Sequence, residues 1–184
     1  MKNNKGYSLI ELIVVISIMA ILIGVISLGL RSVFSLDAKE CAYDLNACLK
    51  ETKADALSKD YQELKLYKNA AGEVYADFVV YHYQEDASHP GQFAPDLASE
   101  VKKSVLIGKQ SVTVKFYFSD GTNISLDPAT HSVALGFNRS SGSFTKAKID
   151  DIQSTAYCNL IEVSRGSKTY SIKLSPATGN HSVK

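Results

Sequence analysis

The sequence predicts an α+β protein in which one long N-terminal helix packs on antiparallel β-sheet. No proline interrupts residues 7 to 58, where apolar side chains recur at helical spacing. After residue 59 the period changes, and short alternating segments separated by turn residues follow, as expected for antiparallel strands. We therefore divide the chain into an apolar helical half (7–30), an amphipathic helical half (31–59) and a β domain (60–184).

The apolar half is long enough to cross a membrane. Between Tyr7 and Leu30, Glu11 is the only side chain that is charged at neutral pH. A helix over these residues would be about 36 Å long, more than the hydrocarbon core of a bilayer. The run is too long for a cleaved secretory signal, and no A-x-A-like site follows it. Lys2 and Lys5 precede it, which favours a single-pass protein of the cytoplasmic (inner) membrane with its C-terminal domain outside.

The amphipathic half continues the helix and carries one apolar stripe. Residues three or four positions apart share a face of a helix, and this face is predicted to hold the β domain. Its members are Phe34, Ala38, Cys41, Leu45, Cys48, Thr52 and Ala56.

The three cysteines allow two arrangements. Cys41 and Cys48 are seven positions apart on the helix, so their Cα atoms would be about 10 Å apart, too far for a disulfide. Either all three thiols are small buried hydrophobes, or Cys158 forms a bridge with one of the other two.

The β domain is predicted to contain seven or eight short strands. Turn signals at Asp120-Gly121, 139–142, 165–167 and 176–179 separate several of them. Residues 84–96 are predicted to be a polar connecting loop and a candidate contact surface. Ala94–Lys103 is predicted to be a short helix or a loop. The predicted strands are Glu63–Lys68, Glu73–Tyr83, Ser111–Phe118, Ile124–Leu126, His131–Asn138, Ser143–Ile149, Tyr157–Ser164 and Lys168–Leu174.

The N-terminal stretch KGYSLIEL (5–12), followed by the apolar run, resembles the class III signal of type IV prepilins and pseudopilins. The resemblance implies that residues 1–6 are a cytoplasmic leader, which a membrane-embedded prepilin peptidase removes by cutting after Gly6. The new terminus, Tyr7, would then be N-methylated. Glu11 would pair with the terminal amine of a neighbouring subunit during assembly. An ion pair of this kind is far stronger at low dielectric than in water.

A second resemblance concerns the C-terminal seventy residues. The stretches LGFNRSSGSF (135–144) and IEVSRGSKTYSIKLSPATG (161–179) are similar to the minor pseudopilins of the general-secretion H type and to FimT-like minor pilins. This resemblance implies a pilin-like fold with two antiparallel sheets on the helical stem. The implied partners are other pilin or pseudopilin subunits, prepilin peptidase, the inner-membrane assembly platform and, before assembly, membrane lipid.

Other site chemistries have weaker support in the sequence. Asp120, Asn123 and Asp127 could ligate Ca²⁺, but their spacing differs from an EF-hand loop and these residue types also form turns. The four histidines, His82, His89, His131 and His181, lack the paired spacing of a zinc site. The net charge of +1 gives no support for nucleic-acid binding. No metal or other cofactor is therefore expected.

An enzymatic interpretation has weak support in the sequence. Cys158 with Arg165 and a histidine on an anchored β domain resembles a sortase, but Ser154-Thr155-Ala156-Tyr157 before the cysteine does not match the sortase TLxTC pattern. We therefore expect no catalytic residue. The expected function is that of a minor pilin or pseudopilin in a type IV pilus, a competence pilus or a type II secretion pseudopilus. The alternative is a membrane-anchored extracytoplasmic β module that does not polymerise.

Overall fold

A computed structural model describes residues 9–58, 61–85, 93–128 and 131–184, with the side chains of all these residues except 24–35 and 82–98. The predicted leader, Gly6 and Tyr7 lie outside the described residues. Within them the protein is α+β, with one long helix followed by antiparallel strands.

The helix α1 spans Leu9–Ser58. Leucine, isoleucine, alanine and the absence of proline favour this length, although two glycines, Gly24 and Gly29, lie within it. At its end the Ser58 hydroxyl donates a hydrogen bond to the carbonyl of Asp55 at 3.2 Å. The predicted continuous helix is confirmed over the described residues.

The first sheet has six strands in the order β3-β2-β1-β6-β7-β8. A hairpin of β1 and β2 begins it, and the turn between them holds the Asn69 carboxamide oxygen 2.9 Å from the backbone N–H of Glu73. The strands are β1 (Tyr61–Lys68), β2 (Val74–Glu85), β3 (Phe93–Gly108), β6 (Ser132–Gly136), β7 (Lys148–Ile149) and β8 (Ile152–Gln153).

The second sheet has five strands in the order β11-β10-β9-β4-β5. Its centre is the antiparallel trio of β10, β9 and β4, in which Phe116 pairs with Ile161 and Ile161 pairs with Ile172. These three side chains are fully buried. The strands are β4 (Thr113–Phe118), β5 (Asn123–Ser125), β9 (Cys158–Arg165), β10 (Lys168–Ser175) and β11 (Asn180–Val183).

The core lies where the second half of α1 contacts strands of both sheets. The predicted stripe is confirmed, because each member whose side chain is described is buried; the Phe34 side chain lies outside the described set. Opposite the stripe, the β domain contributes large apolar side chains that are fully or almost fully buried, namely Leu64, Leu66, Phe78, Phe116, Leu135, Phe137, Ile161 and Ile172.

The prediction of a helix or loop at residues 94–103 is wrong. Residues 94–103 belong to β3, which pairs with β2 along most of its length, and do not form a helix or a loop. Alanine, lysine and glutamate favour a helix locally, but sheet pairing overrides that propensity. Lys103 extends from the strand to Glu51 of α1, with 2.9 Å between the charged atoms. The predicted loop 84–96 is shorter too, because β2 runs to Glu85 and β3 begins at Phe93.

The ends of the β domain also differ from the predictions. Most of the predicted strand Ser143–Ile149 is irregular: only a single bridge, Phe137 with Phe144, and the short β7 form there. The strands β8 and β11 were not predicted. The turn at 139–142 is confirmed: Gly142 has a φ of 66°, which favours glycine, and its N–H donates to the Asn138 carbonyl at 2.8 Å.

Candidate functional site

Of the predicted processing and assembly residues, Glu11 is the one that the described structure includes. Gly6 and Tyr7 are outside the described residues, so cleavage and methylation remain predictions. Glu11 lies in the first turn of α1, where a negative charge is favoured by the helix dipole, and it is exposed in the single chain.

The first part of α1 carries a bare apolar surface. From Leu9 to Ile23 every side chain is exposed, and the large apolar side chains have exposed fractions between 48% and 80%. Within the described residues, no helix has both the length and the apolar character that a membrane crossing requires. The predicted membrane half, 7–30, extends beyond the side chains that are described.

The second part of α1 is anchored by a buried carboxylate that sequence reasoning missed. Asp37 is 7% exposed, and its oxygens bind the Lys109 ammonium at 2.8 Å and the Arg165 guanidinium. Lys109 follows β3 of the first sheet, whereas Arg165 ends β9 of the second. The Asp37 cluster, meaning Asp37, Lys109 and Arg165, therefore joins the helix to both sheets.

A signal for this cluster was present in the sequence. Asp37 is three residues after Phe34 and four before Cys41, which places it on the apolar stripe. A charged group buried on such a face needs a partner of opposite charge. The sequence could not identify that partner, because Lys109 and Arg165 are 72 and 128 positions away.

The three cysteines are free and buried, which confirms the first of the two arrangements. Burial is the main cause that raises the pKa of Cys41 and Cys158 to about 12 and that of Cys48 to about 11. A thiol is nucleophilic only as the thiolate, so all three are poor nucleophiles at neutral pH.

The residues of the sortase-like interpretation do not come together as a nucleophilic site. The Cys158 thiol is 2% exposed and donates to the Leu160 carbonyl at 3.6 Å. Arg165 is engaged by Asp37. The described histidine side chains lie elsewhere: His131 contacts Asp150, and His181 lies beside Phe137.

The candidate calcium and zinc residues take structural positions. Asp120 accepts hydrogen bonds from the Thr122 hydroxyl at 2.6 Å and its N–H at 2.9 Å, and these bonds lower the pKa of Asp120. Asn123 begins β5, and Asp127 is exposed after it. The His82 side chain and His89 lie outside the described set. Across the described ranges, no three metal-ligating side chains converge.

Comparison with known proteins supports the N-terminal interpretation. Residues 1–27 match the family model described as the prokaryotic N-terminal methylation motif. No curated protein and no solved structure matches the chain. The motif supports a type IV pilin-family signal and suggests a pilin-like substrate of prepilin peptidase with a membrane-anchored precursor. It points to a structural, non-enzymatic protein, and it implies assembly with other pilins.

Proposed function

We propose that this protein is a minor pilin or pseudopilin, a structural subunit of a type IV pilus, a competence pilus or a type II secretion pseudopilus. The observation that carries the proposal is the methylation motif on a helix whose first part is bare and apolar. The second part of the same helix is covered by two sheets. One chain thus combines a processing signal, an exposed apolar helical segment and a folded β domain, which we call the head.

The exposed apolar segment from Leu9 to Ile23 must be buried against another apolar surface. Exposed apolar surface of this extent is unfavourable in water, so lipid must cover it before assembly and other apolar helices after assembly. In a filament, the same segment of neighbouring subunits supplies that surface. The head would stay outside, because the described side chains of α1 that the two sheets bury belong to its second part.

Glu11 gives the assembly a preferred register. A carboxylate within an apolar bundle is costly unless a positive group neutralises it. Cleavage after Gly6 would create an ammonium at Tyr7, four positions before Glu11 in the sequence. In a bundle of staggered subunits, the ammonium of one chain pairs with the carboxylate of another, and this pairing favours one axial offset between adjacent helices.

The processing step is tested by replacing Gly6. A Gly6→Val chain, expressed with a prepilin peptidase, is expected to keep its leader, because a β-branched side chain replaces the glycine at the cleavage position. Mass spectrometry of the N-terminal peptide distinguishes the two forms. A mature Tyr7 terminus in the Gly6→Val chain would contradict the assignment of the cleavage site.

The assembly step is tested by replacing Glu11. The Glu11→Ala chain should be processed normally but appear in sheared, purified filaments at about tenfold lower abundance, because the terminal ammonium of a neighbouring subunit loses its partner; a tenfold change corresponds to about 1.4 kcal/mol. Ser17→Ala is the matched control, because the Ser17 hydroxyl already donates to the Ile13 carbonyl of its own helix at 2.8 Å. Wild-type incorporation of Glu11→Ala would reject the role of Glu11.

Two rival functions predict different results. An anchored module that does not polymerise would be absent from purified filaments, even with wild-type sequence. A sortase-like enzyme would need a reactive Cys158, so iodoacetamide would modify this residue in the folded protein. We expect modification of Cys158 only after denaturation, because the thiol is buried and protonated.

A further inference from the structure

The face of the six-stranded sheet that points away from α1 contains a groove of about 450 Å³. On β1, Leu64 and Leu66 point into the core, whereas the alternate residues Glu63, Lys65 and Tyr67 line this outer groove. Its volume is within the range of about 300–1,000 Å³ that is usual for small-molecule sites. Neither the methylation motif nor the packing of the stem uses it.

One end of the outer groove is held rigid by a buried carboxylate. Glu63 is 2% exposed and accepts hydrogen bonds from the hydroxyls of Tyr61 at 2.7 Å and Tyr81 at 3.0 Å. The Lys148 ammonium donates to Glu63 at 2.9 Å and lies 4.6 Å from the centre of the Tyr81 ring. Every charge in this cluster is thus compensated, and the Tyr81 ring is fixed in place.

The backbone of β6 is adapted to this cluster. A Cβ atom at Gly136 would lie 2.8 Å from the Tyr61 hydroxyl oxygen and 3.1 Å from Cγ of Glu63. Both separations are shorter than ordinary van der Waals contact. Glycine at this position therefore lets Tyr61 and Glu63 occupy the space beside β6.

The rim of the outer groove carries polar groups of both signs. The Lys65 ammonium lies 2.7 Å from Asp151, and the His131 ring nitrogen lies 2.9 Å from Asp150. Asp150 and Asp151 form the tight turn between β7 and β8 with φ values of 51° and 64°. Asparagine and glycine are the usual residues in such a turn, so the two aspartates place carboxylates here at a conformational cost.

The floor of the outer groove includes aliphatic and aromatic side chains. Val79, Val101 and Ala134 contribute aliphatic surface, and Tyr67 stacks on Tyr75 with a ring-centre distance of 5.9 Å and an interplanar angle of 18°. The charged groups around this floor nearly balance. The carboxylates are Glu63, Asp77, Asp150 and Asp151, and the ammonium groups are Lys65, Lys68 and Lys148.

We infer that the outer groove binds an uncharged saccharide. Sugar hydroxyls both donate and accept hydrogen bonds, so they suit a rim of carboxylates and ammonium groups. The C–H face of a sugar ring suits the negative face of an aromatic ring such as Tyr67. The near balance of charge favours neither an anionic nor a cationic ligand. A peptide lying across β1 would find no free backbone partners there, because the backbone of β1 pairs with β2 on one side and β6 on the other. This inference is independent of the filament role.

The test uses the full chain in micelles of lauryldimethylamine oxide, since detergents with sugar head groups would compete for the site. Maltotriose, cellotriose and triacetylchitotriose are the probes, and saturation-transfer NMR with calorimetry is the measurement. At least one probe should bind saturably. Tyr67→Ala should weaken that binding about tenfold or more, while Tyr117→Ala, a half-buried tyrosine of the other sheet, should leave it within about twofold of wild type.

Four results would overturn the inference: no saturable binding of any probe, unchanged binding by Tyr67→Ala, equal loss in both tyrosine variants, or much tighter binding of a sulfated trisaccharide. Circular dichroism checks that each variant is folded. If Tyr67→Ala does not fold, Asp77→Asn replaces it, because this change keeps the side-chain shape and removes a rim charge. Asp77→Asn should then weaken binding, and unchanged binding would reject the site.

Discussion

The two parts of α1 belong to one helix but have opposite surroundings. From Leu9 to Ile23 the side chains are bare, whereas between Asp37 and Ala56 one face is buried under two sheets. The sequence of the first part is apolar on every side, while that of the second confines its apolar residues to a stripe. An all-apolar helix has no preferred face, so it suits lipid or a bundle, and a striped helix suits one fixed partner. In the proposed function, the first part of α1 therefore serves assembly, and the second part serves the folding of the head.

The largest expected effect is a difference between the two parts of α1 in how much each contributes to the free energy of unfolding. Leu45→Ala should lower the free energy of unfolding by about 2–5 kcal/mol, because Leu45 is fully buried and the change leaves a cavity. Leu22→Ala is the matched control in the bare part, with Leu22 at 55% exposed, and it should change stability by less than about 0.5 kcal/mol. Urea unfolding of the full chain in micelles measures both. Similar losses in the two variants would show that the bare part also packs on the head.

A smaller effect is expected at the junction of helix and sheets. Asp37→Ala should cost about 1–3 kcal/mol, because it leaves the largely buried Arg165 guanidinium without this carboxylate. Lys109→Met should cost less than about 0.5 kcal/mol, since the Lys109 side chain is 69% exposed. The same unfolding assay compares them. Equal costs would mean that the exposed lysine contributes as much to the Asp37 cluster as Arg165 does.

The smallest expected effect is a change of stability with pH, which we attribute to His181. Burial, together with the charges of Lys53 and Lys50, lowers the pKa of His181, although a hydrogen bond to the Gly179 carbonyl opposes this. The folded state therefore binds fewer protons than the unfolded state. The contribution of His181 to stability is complete above its ordinary pKa of about 6.5 and is lost as the pH falls through the lowered value.

Thermal unfolding at several pH values tests this dependence. The Tm should fall between about pH 7.5 and pH 5.5, and His181→Asn should reduce that fall. His131→Asn is the control, because the His131 side chain is 45% exposed. An unchanged pH dependence in His181→Asn would assign the effect to other groups.

The helix and the strands that are marked by a local spacing of apolar residues could be predicted from the sequence. Helical spacing was sufficient for α1 and its stripe, and alternation was sufficient for β4, β9 and β10. The same reasoning failed at residues 94–103, where local propensity favours helix but pairing with β2 produces a strand. It also failed at β11: the turn at 176–179 was predicted, but the strand after it has four residues of which only Val183 is apolar, so no alternation marks it.

The candidate sites also differ in whether a local sequence pattern was sufficient to predict them. The proposed processing residues, Gly6 and Tyr7, and the proposed assembly residue, Glu11, were predicted from a contiguous motif without knowledge of the fold. The Asp37 cluster and the outer groove did need the fold, because they join residues that are far apart in the chain. The pair of Glu63 and Lys148, for example, is separated by 85 positions, and no local pattern connects them.

The most direct test of the central claim is the mass of the mature N-terminal peptide. The full chain, expressed with a prepilin peptidase, should yield a peptide that begins at Tyr7 and carries one additional methyl group on its amine. This result would show that the leader is removed as in a prepilin, so that the apolar part of α1 stays at the N-terminus of the mature chain. An N-terminal peptide that begins at Met1, or an unmethylated terminus at any other residue, would contradict the account.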